Sequence, residues 1–292
     1  AGLTAAYELQ KRSARHKPKV YEGGTMVGGI SRTESNNGYR FDIGGHRFFT
    51  KVKEVEDMWH EVLQDDFITV PRLSRIYYRE KFFDYPLKLM NALVNIGPYE
   101  SMRILLSYFK WQVRPYKKEE SFEEWVINRF GGRLYMHFFR SYTQKVWGIS
   151  PKEIRADWAA QRIKNLSLFK AVWNAISGAN DTTSLIEEFQ YPRLGPGMMW
   201  ERCRDLVVAQ GSTVQMRTRV AKVRHGGGRA TSVVAVGPDG TEAEHPCSHV
   251  VSSMPIPHLL QAMDPPPPAD VLAAAAGLKF RDFLTVALVV PE

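Results

Sequence analysis

Cysteine is almost absent: Cys203 and Cys247 are the two in 292 residues. Two thiols cannot staple a fold of this size, which excludes a disulfide scaffold and suits a reducing compartment. A cytoplasmic location is the resulting expectation. No run of eighteen apolar residues occurs, so no integral membrane segment is predicted. A dense Lys/Arg block is also missing. The formal charge is +8, but its 39 basic residues are scattered along the chain. That distribution favours a small phosphate-bearing ligand over nucleic acid, with a merely basic solvated surface as the plainer alternative. Glycine-flanked serine elbows, paired catalytic carboxylates and internal repeats are lacking too. The run HPCSH, 245–249, brings His245, Cys247 and His249 together. One strand edge cannot wrap a metal and no fourth ligand is evident, so no metal is predicted.

The composition, 44% hydrophobic and 24% charged, is that of an ordinary globular chain. The length suits one large or two interleaved domains. Residue 1 is Ala, and AGLTAAYELQKR already reads as a helix, with Leu3, Ala6, Tyr7 and Leu9 near helical spacing. The last residues, FLTVALVVP at 283–291, read as a strand. Both ends look cut, and a targeting segment would lie upstream.

The opening has β/α character punctuated by glycine. KPKVYE, 17–22, alternates as a short strand, GGTMVGGISRT, 23–33, is a glycine loop, and YRFDIGGHRFF, 39–49, is a strand entering a second glycine turn. Lys53–Leu63 reads as a helix. Residues 74–86 read as a β-hairpin turning near Glu80-Lys81. From Pro86 to Ile176 most segments have helical period, and Ser121 before Glu124 is a capping-box pattern. The β/α character returns near Gly195. Met198–Gln210 reads as a helix, and 212–244 as successive strands turning at Gly226–Gly228 and at Pro238-Asp239-Gly240. SHVVSSMP, 248–255, is a buried-strand candidate, and PPPP, 265–268, is a loop.

A dinucleotide-binding β–turn–helix needs glycines at the first turn and an acid closing the second strand, about twenty residues beyond. Gly2 stands where the last of those glycines would lie, at a close helix–strand contact, and Glu22 ends the next strand. The loop that follows, YEGGTMVGGISRT, resembles the second FAD motif of the superfamily of FAD-dependent amine oxidases, protoporphyrinogen oxidases and UDP-galactopyranose mutases. The resemblance implies that Glu22 binds a ribose, that Gly28 and Gly29 admit close backbone approach, and that Arg32 lies beside the pyrophosphate. TRVAKVRHGGGRATSVV resembles the strand pair whose backbone contacts the adenine, with Val220 at that position. VVSSMP, with Pro255, resembles the strand and loop returning under the cofactor.

FDIGGHRFFTK, 41–51, is similar to the Gly-x-His-x-Phe-His-Thr motif of the mutases. Gly44, His46, Phe48 and Thr50 match; Phe49 replaces the second histidine. The likeness implies that Gly44 and Gly45 lie beside the flavin ring and that His46 acts there as a proton donor or acceptor. SYTQKVWG, 141–148, is similar to the mutases' Tyr-Thr-x-Lys-x-Trp-Gly segment and nominates Tyr142, Lys145 and Trp147 as substrate contacts. YPRLGPGMMWE, 191–201, reads differently from the mutases. Tyr191, Pro192 and Gly197 resemble instead the tract before the FAD-domain return in oxidase-like relatives.

The expectation is therefore an α/β fold: a discontinuous Rossmann-like FAD-binding domain, 1–50 and 195–258, with a mostly helical substrate domain at 51–194. A further substrate segment starts at 259–292. The resemblance implies an FAD-dependent oxidoreductase acting on an organic small molecule, phosphorylated or nucleotide-linked. The alternative it implies is a mutase-like isomerase using reduced FAD on a nucleotide sugar, and a third reading is a degenerate flavin fold that only binds.

Overall fold

The computed structural model describes residues 1–84, 89–162, 188–280 and 282–290. They form two compact units, Ala1–Val70 with Glu188–Glu292, and Pro71–Glu187. Among the described residues no helix is long and apolar enough to cross a membrane.

The first unit opens with helix α1, Gly2–Arg12, and strand β1, Lys19–Tyr21. Strands β2, Thr33–Asn36, and β3, Tyr39–Asp42, form an antiparallel hairpin. Helix α2, Lys53–Leu63, leads to β4, Phe67–Pro71. After the second unit the chain returns through β7, Glu188–Pro192, beside β4. It continues with α9, Gly197–Ala209, and β8, Thr213–Gln215, which pairs in parallel with β1. Strands β9, Arg219–Gly226, β10, Arg229–Val236, and β11, Glu242–Pro246, form an antiparallel sheet. After α10, Ile256–Ala262, the short β12, Met263–Asp264, joins it parallel to β9, and α11, Ala269–Ala276, follows.

Met199, Cys203 and Val207 of α9, spaced four apart, are each fully buried. They pack with Leu3, Ala6 and Tyr7 of α1, and with Met58, Val62 and Leu63 of α2. Four-residue spacing puts side chains on one helix face, so the three helices share one core. Gln10 is the polar exception; its Nε2 donates to Val207 O at 3.2 Å and Ser212 Oγ at 2.7 Å.

The second unit begins with the hairpin β5, Arg75–Tyr78, and β6, Lys81–Asp84. The turn residues are Arg79 and Glu80, both at positive φ, one position earlier than the sequence suggests. Helices α3, Leu89–Ile96, α4, Pro98–Val113, and α5, Phe122–Phe130, follow. Then come α6, Gly132–Leu134, a π-helical stretch Tyr135–Arg140, α7, Ser141–Trp147, and α8, Ala156–Arg162. Ile104, Phe122, Trp125, Val126, Phe130 and Tyr135 centre the core. The capping box forms: Ser121 Oγ accepts Glu124 N–H at 3.3 Å, and Glu124 Oε2 accepts Ser121 N–H at 2.9 Å.

Some expectations need correction. SHVVSSMP, 248–255, is not a strand, and Val250 and Val251 are exposed. The run 283–290 likewise forms no strand, and its apolar side chains are exposed. An apolar run becomes a strand only when a neighbour takes up its backbone N–H and C=O groups, and neither segment has one among the described residues. The two compact units meet in the chain at 70/71 and 187/188. The reason is burial: α2 packs into the core of α1 and α9. Residues 85–88 and 163–176 of the expected helical stretch lie outside the described residues.

Candidate functional site

Glu22 is fixed where β1 ends. Its N–H donates to Gln215 O at 2.8 Å, and its C=O accepts Thr218 N–H at 2.9 Å. Its carboxylate Oε1 accepts Gly24 N–H at 2.7 Å. Val220, two residues past Thr218, sits half-buried in β9 opposite Ala235. Gly2 faces β1, but a Cβ there would meet Val20 Cγ1 at 4.0 Å, an ordinary contact. The close approach expected of that glycine is not present.

In the loop from Gly23 to Arg32, Gly28 has φ +104°, and a Cβ on it would lie 2.8 Å from Trp200 Cδ1. Gly29 also has positive φ but opens onto clear space. Arg32 Nε donates to Glu34 Oε1 at 2.6 Å, so its charge is paired along the strand. The next residue, Thr33, receives the start of α9. Gly197 N–H donates to Thr33 Oγ1 at 2.9 Å, and a Cβ on Gly195 would lie 2.2 Å from that oxygen.

β3 ends at Asp42 and the chain enters the Gly44–Gly45 turn. His46 N–H closes the turn on Gly44 O at 3.0 Å, and a Cβ on Gly44 would come within 3.1 Å of His46 Nε2. Gly45 is exposed with nothing near its missing Cβ. Tyr191 of β7 donates its hydroxyl to Asp42 Oδ2 at 2.5 Å. Burial raises the Asp42 pKa above the ordinary carboxylate value, while the Tyr191 bond and the nearby His46 pull the other way. Burial and then the Asp42 hydrogen bond push the Tyr191 hydroxyl well above its ordinary value. Asp42 Oδ1, His46 Nε2, Tyr21 OH and Trp200 Nε1 are all buried without a protein partner. Buried polar atoms are nearly always satisfied in native folds. Two of these unsatisfied atoms, on Asp42 and His46, belong to the one stretch of chain that makes the Gly44–Gly45 turn.

Tyr142, Lys145 and Trp147 are exposed on α7 in the second unit. Trp147 packs edge-on against Trp158, ring centroids 4.9 Å apart. Sequence reasoning missed Thr33, Asp42, Gly195 and Trp200 as site residues. The Gly195-Pro196-Gly197 punctuation was the available signal; nothing local marks Asp42 or Trp200.

The chain is similar in structure to reduced UDP-galactopyranose mutase, with a TM-score of 0.78 at 21% identity over 95% of this chain and 58% of that one. It is also similar to an oxidoreductase from Methanosarcina mazei, TM-score 0.54 at 16% identity, covering 94% of this chain and 61% of that one. Putrescine oxidase gives 0.54 at 16%, covering 93% and 60%. Identities this low establish the fold alone, and the chain spans about three fifths of each relative. The family model described as flavin containing amine oxidoreductase matches residues 1–292. This chain therefore belongs to the flavin-containing amine oxidoreductase family, with FAD as its cofactor.

Proposed function

We propose that the protein oxidises an organic small molecule, with His46 handling the proton at the reacting end. The observation that carries this reading is the pair of buried, unpartnered atoms, Asp42 Oδ1 and His46 Nε2, beside the Gly44–Gly45 turn. The residues present fit FAD. Glu22 closes β1, where a ribose would be held. Gly29 and Gly45 open onto clear space that a Cβ would fill. Arg32 supplies the cation for the pyrophosphate, and the β9 backbone at Val220 supplies the adenine contact. When bound, FAD would supply the redox chemistry for a two-electron oxidation at a substrate C–H bond, with an external acceptor taking up the electrons. His46 takes the proton released from the substrate's N–H or O–H, and Asp42 faces the charge that His46 acquires.

A second reading has its own support. Tyr142, Lys145 and Trp147 match the mutase segment and stand exposed on α7, where a nucleotide sugar could meet them. One pair of assays separates the two. Oxidised whole protein is mixed anaerobically with candidate amines and alcohols, and the visible flavin band is followed. Dithionite-reduced protein is incubated with UDP-galactofuranose, and UDP-galactopyranose is measured. Bleaching by a substrate supports the oxidoreductase; sugar conversion with no oxidant consumed replaces it with the mutase. In either case His46→Ala is expected to lower turnover about 100-fold or more, the usual scale of a lost acid–base group, while FAD is retained. Equal loss of both would make His46 structural.

A further inference from the structure

Helix α4 carries an apolar stripe on its solvent side that the flavin chemistry does not use. Tyr99, Met102, Leu106, Phe109 and Val113 recur at steps of three and four and are 57–78% exposed. The helix is anchored by its other face, where Ile104 and Tyr108 are buried. At 3.6 residues per turn the stripe occupies about 80° of arc opposite that anchor and runs about 21 Å. Exposed Arg103, Lys110 and Arg114 stand one position beyond Met102, Phe109 and Val113, so they form a row of one sign along one edge. The only acid of α4, Glu100, is largely buried. It pairs with Arg133, accepts from His137 Nε2 at 3.1 Å, and meets Arg103 at 3.4 Å. The outward face is thus apolar and cationic, with no exposed anion.

Such a face selects its partner by charge. In a contact between two copies, each residue meets its counterpart's neighbours across a two-fold axis. This would set the stripe and its cations against an identical stripe and its cations, with no acid on the face to relieve them, and like charges across an interface are costly. An anionic lipid surface matches both features. Aromatic and aliphatic side chains enter the headgroup boundary, and Arg and Lys stems snorkel along them to reach phosphates. We propose that the solvent face of α4 docks onto anionic phospholipid headgroups, with the helix lying in the plane of the surface.

The test is flotation of the whole protein with phosphatidylcholine vesicles, alone and with about one third phosphatidylglycerol. Wild type is expected to float at least about tenfold more with the anionic vesicles. Leu106→Glu with Phe109→Glu should remain at the bottom. So should a variant with Arg103, Lys110 and Arg114 changed to Gln, which keeps the stripe and so guards against misfolding of the first; circular dichroism checks both. Wild type left at the bottom with both vesicle types overturns the proposal, as does flotation that survives both variants. A dimer in light scattering that Leu106→Glu dissolves, without flotation of wild type, makes the face a self-interface and overturns it too.

Discussion

Asp42 carries a stability cost that comes from its burial. Its pKa is raised, chiefly by burial, so the folded chain binds more protons than the unfolded chain between the ordinary carboxylate value and the raised one. Stability therefore falls as pH rises through that window, and the full cost is present above it. Asp42→Asn removes the charge while its amide oxygen can still accept from Tyr191. The variant is expected to melt at a higher temperature than wild type at neutral pH. The gap should close on acidification towards the ordinary carboxylate value; a gap independent of pH would mean that Asp42 is not the titrating group. The same residue scale explains Gly195. Its φ is +94° and Thr33 fills the space of its missing side chain, so both backbone freedom and smallness are required there.

Among the elements, α5 shows local sequence acting alone. Ser121 and Glu124 close the cap reciprocally, satisfying N–H groups that the helix leaves free at its start. Ser121→Ala is expected to lower the stability of the second unit by about 1 kcal/mol, measured by denaturant unfolding; no change would mean that water replaces the cap at no cost. Glu124 belongs to the same device. Backbone hydrogen bonds from Ser121 and Glu120 hold its carboxyl below the ordinary glutamate range. The hairpin β5–β6 departs from this economy: Arg79 and Glu80 take positive φ, where Asn and Gly are preferred. The β9–β10 hairpin places Gly227 and Gly228 at its positive φ values instead, as its glycine run leads one to expect.

At the scale of the molecule, the first unit's core is made of residues far apart in the chain. Leu63 is fully buried among side chains of α1, α2 and α9. Leu63→Ala is expected to cost about 2–5 kcal/mol, from lost burial plus the cavity left behind; denaturation followed by near-ultraviolet circular dichroism measures it. A loss below about 1 kcal/mol would mean that this core collapses around the vacancy.

Much of this was legible in the chain order. Helical period in α1, α2 and α9, the Ser121 cap and the Gly226–Gly228 turn are each set by residues within one or two turns of one another. Local sterics and local hydrogen bonds decide such features. Segments 248–255 and 283–290 were misread because alternating or apolar residues favour a strand, but only a neighbouring strand makes one. The pairing of Asp42 with Tyr191 spans 149 positions, and Thr33 meets Gly197 across 164. Sequence by itself determined which glycines, acids and helices the protein has. Only tertiary structure decided that the Tyr191 hydroxyl bonds the half-buried Asp42, a few residues before His46. Packing sets which distant groups lose water together, and that loss of water raises the Asp42 pKa and leaves its Oδ1 and His46 Nε2 without a protein partner.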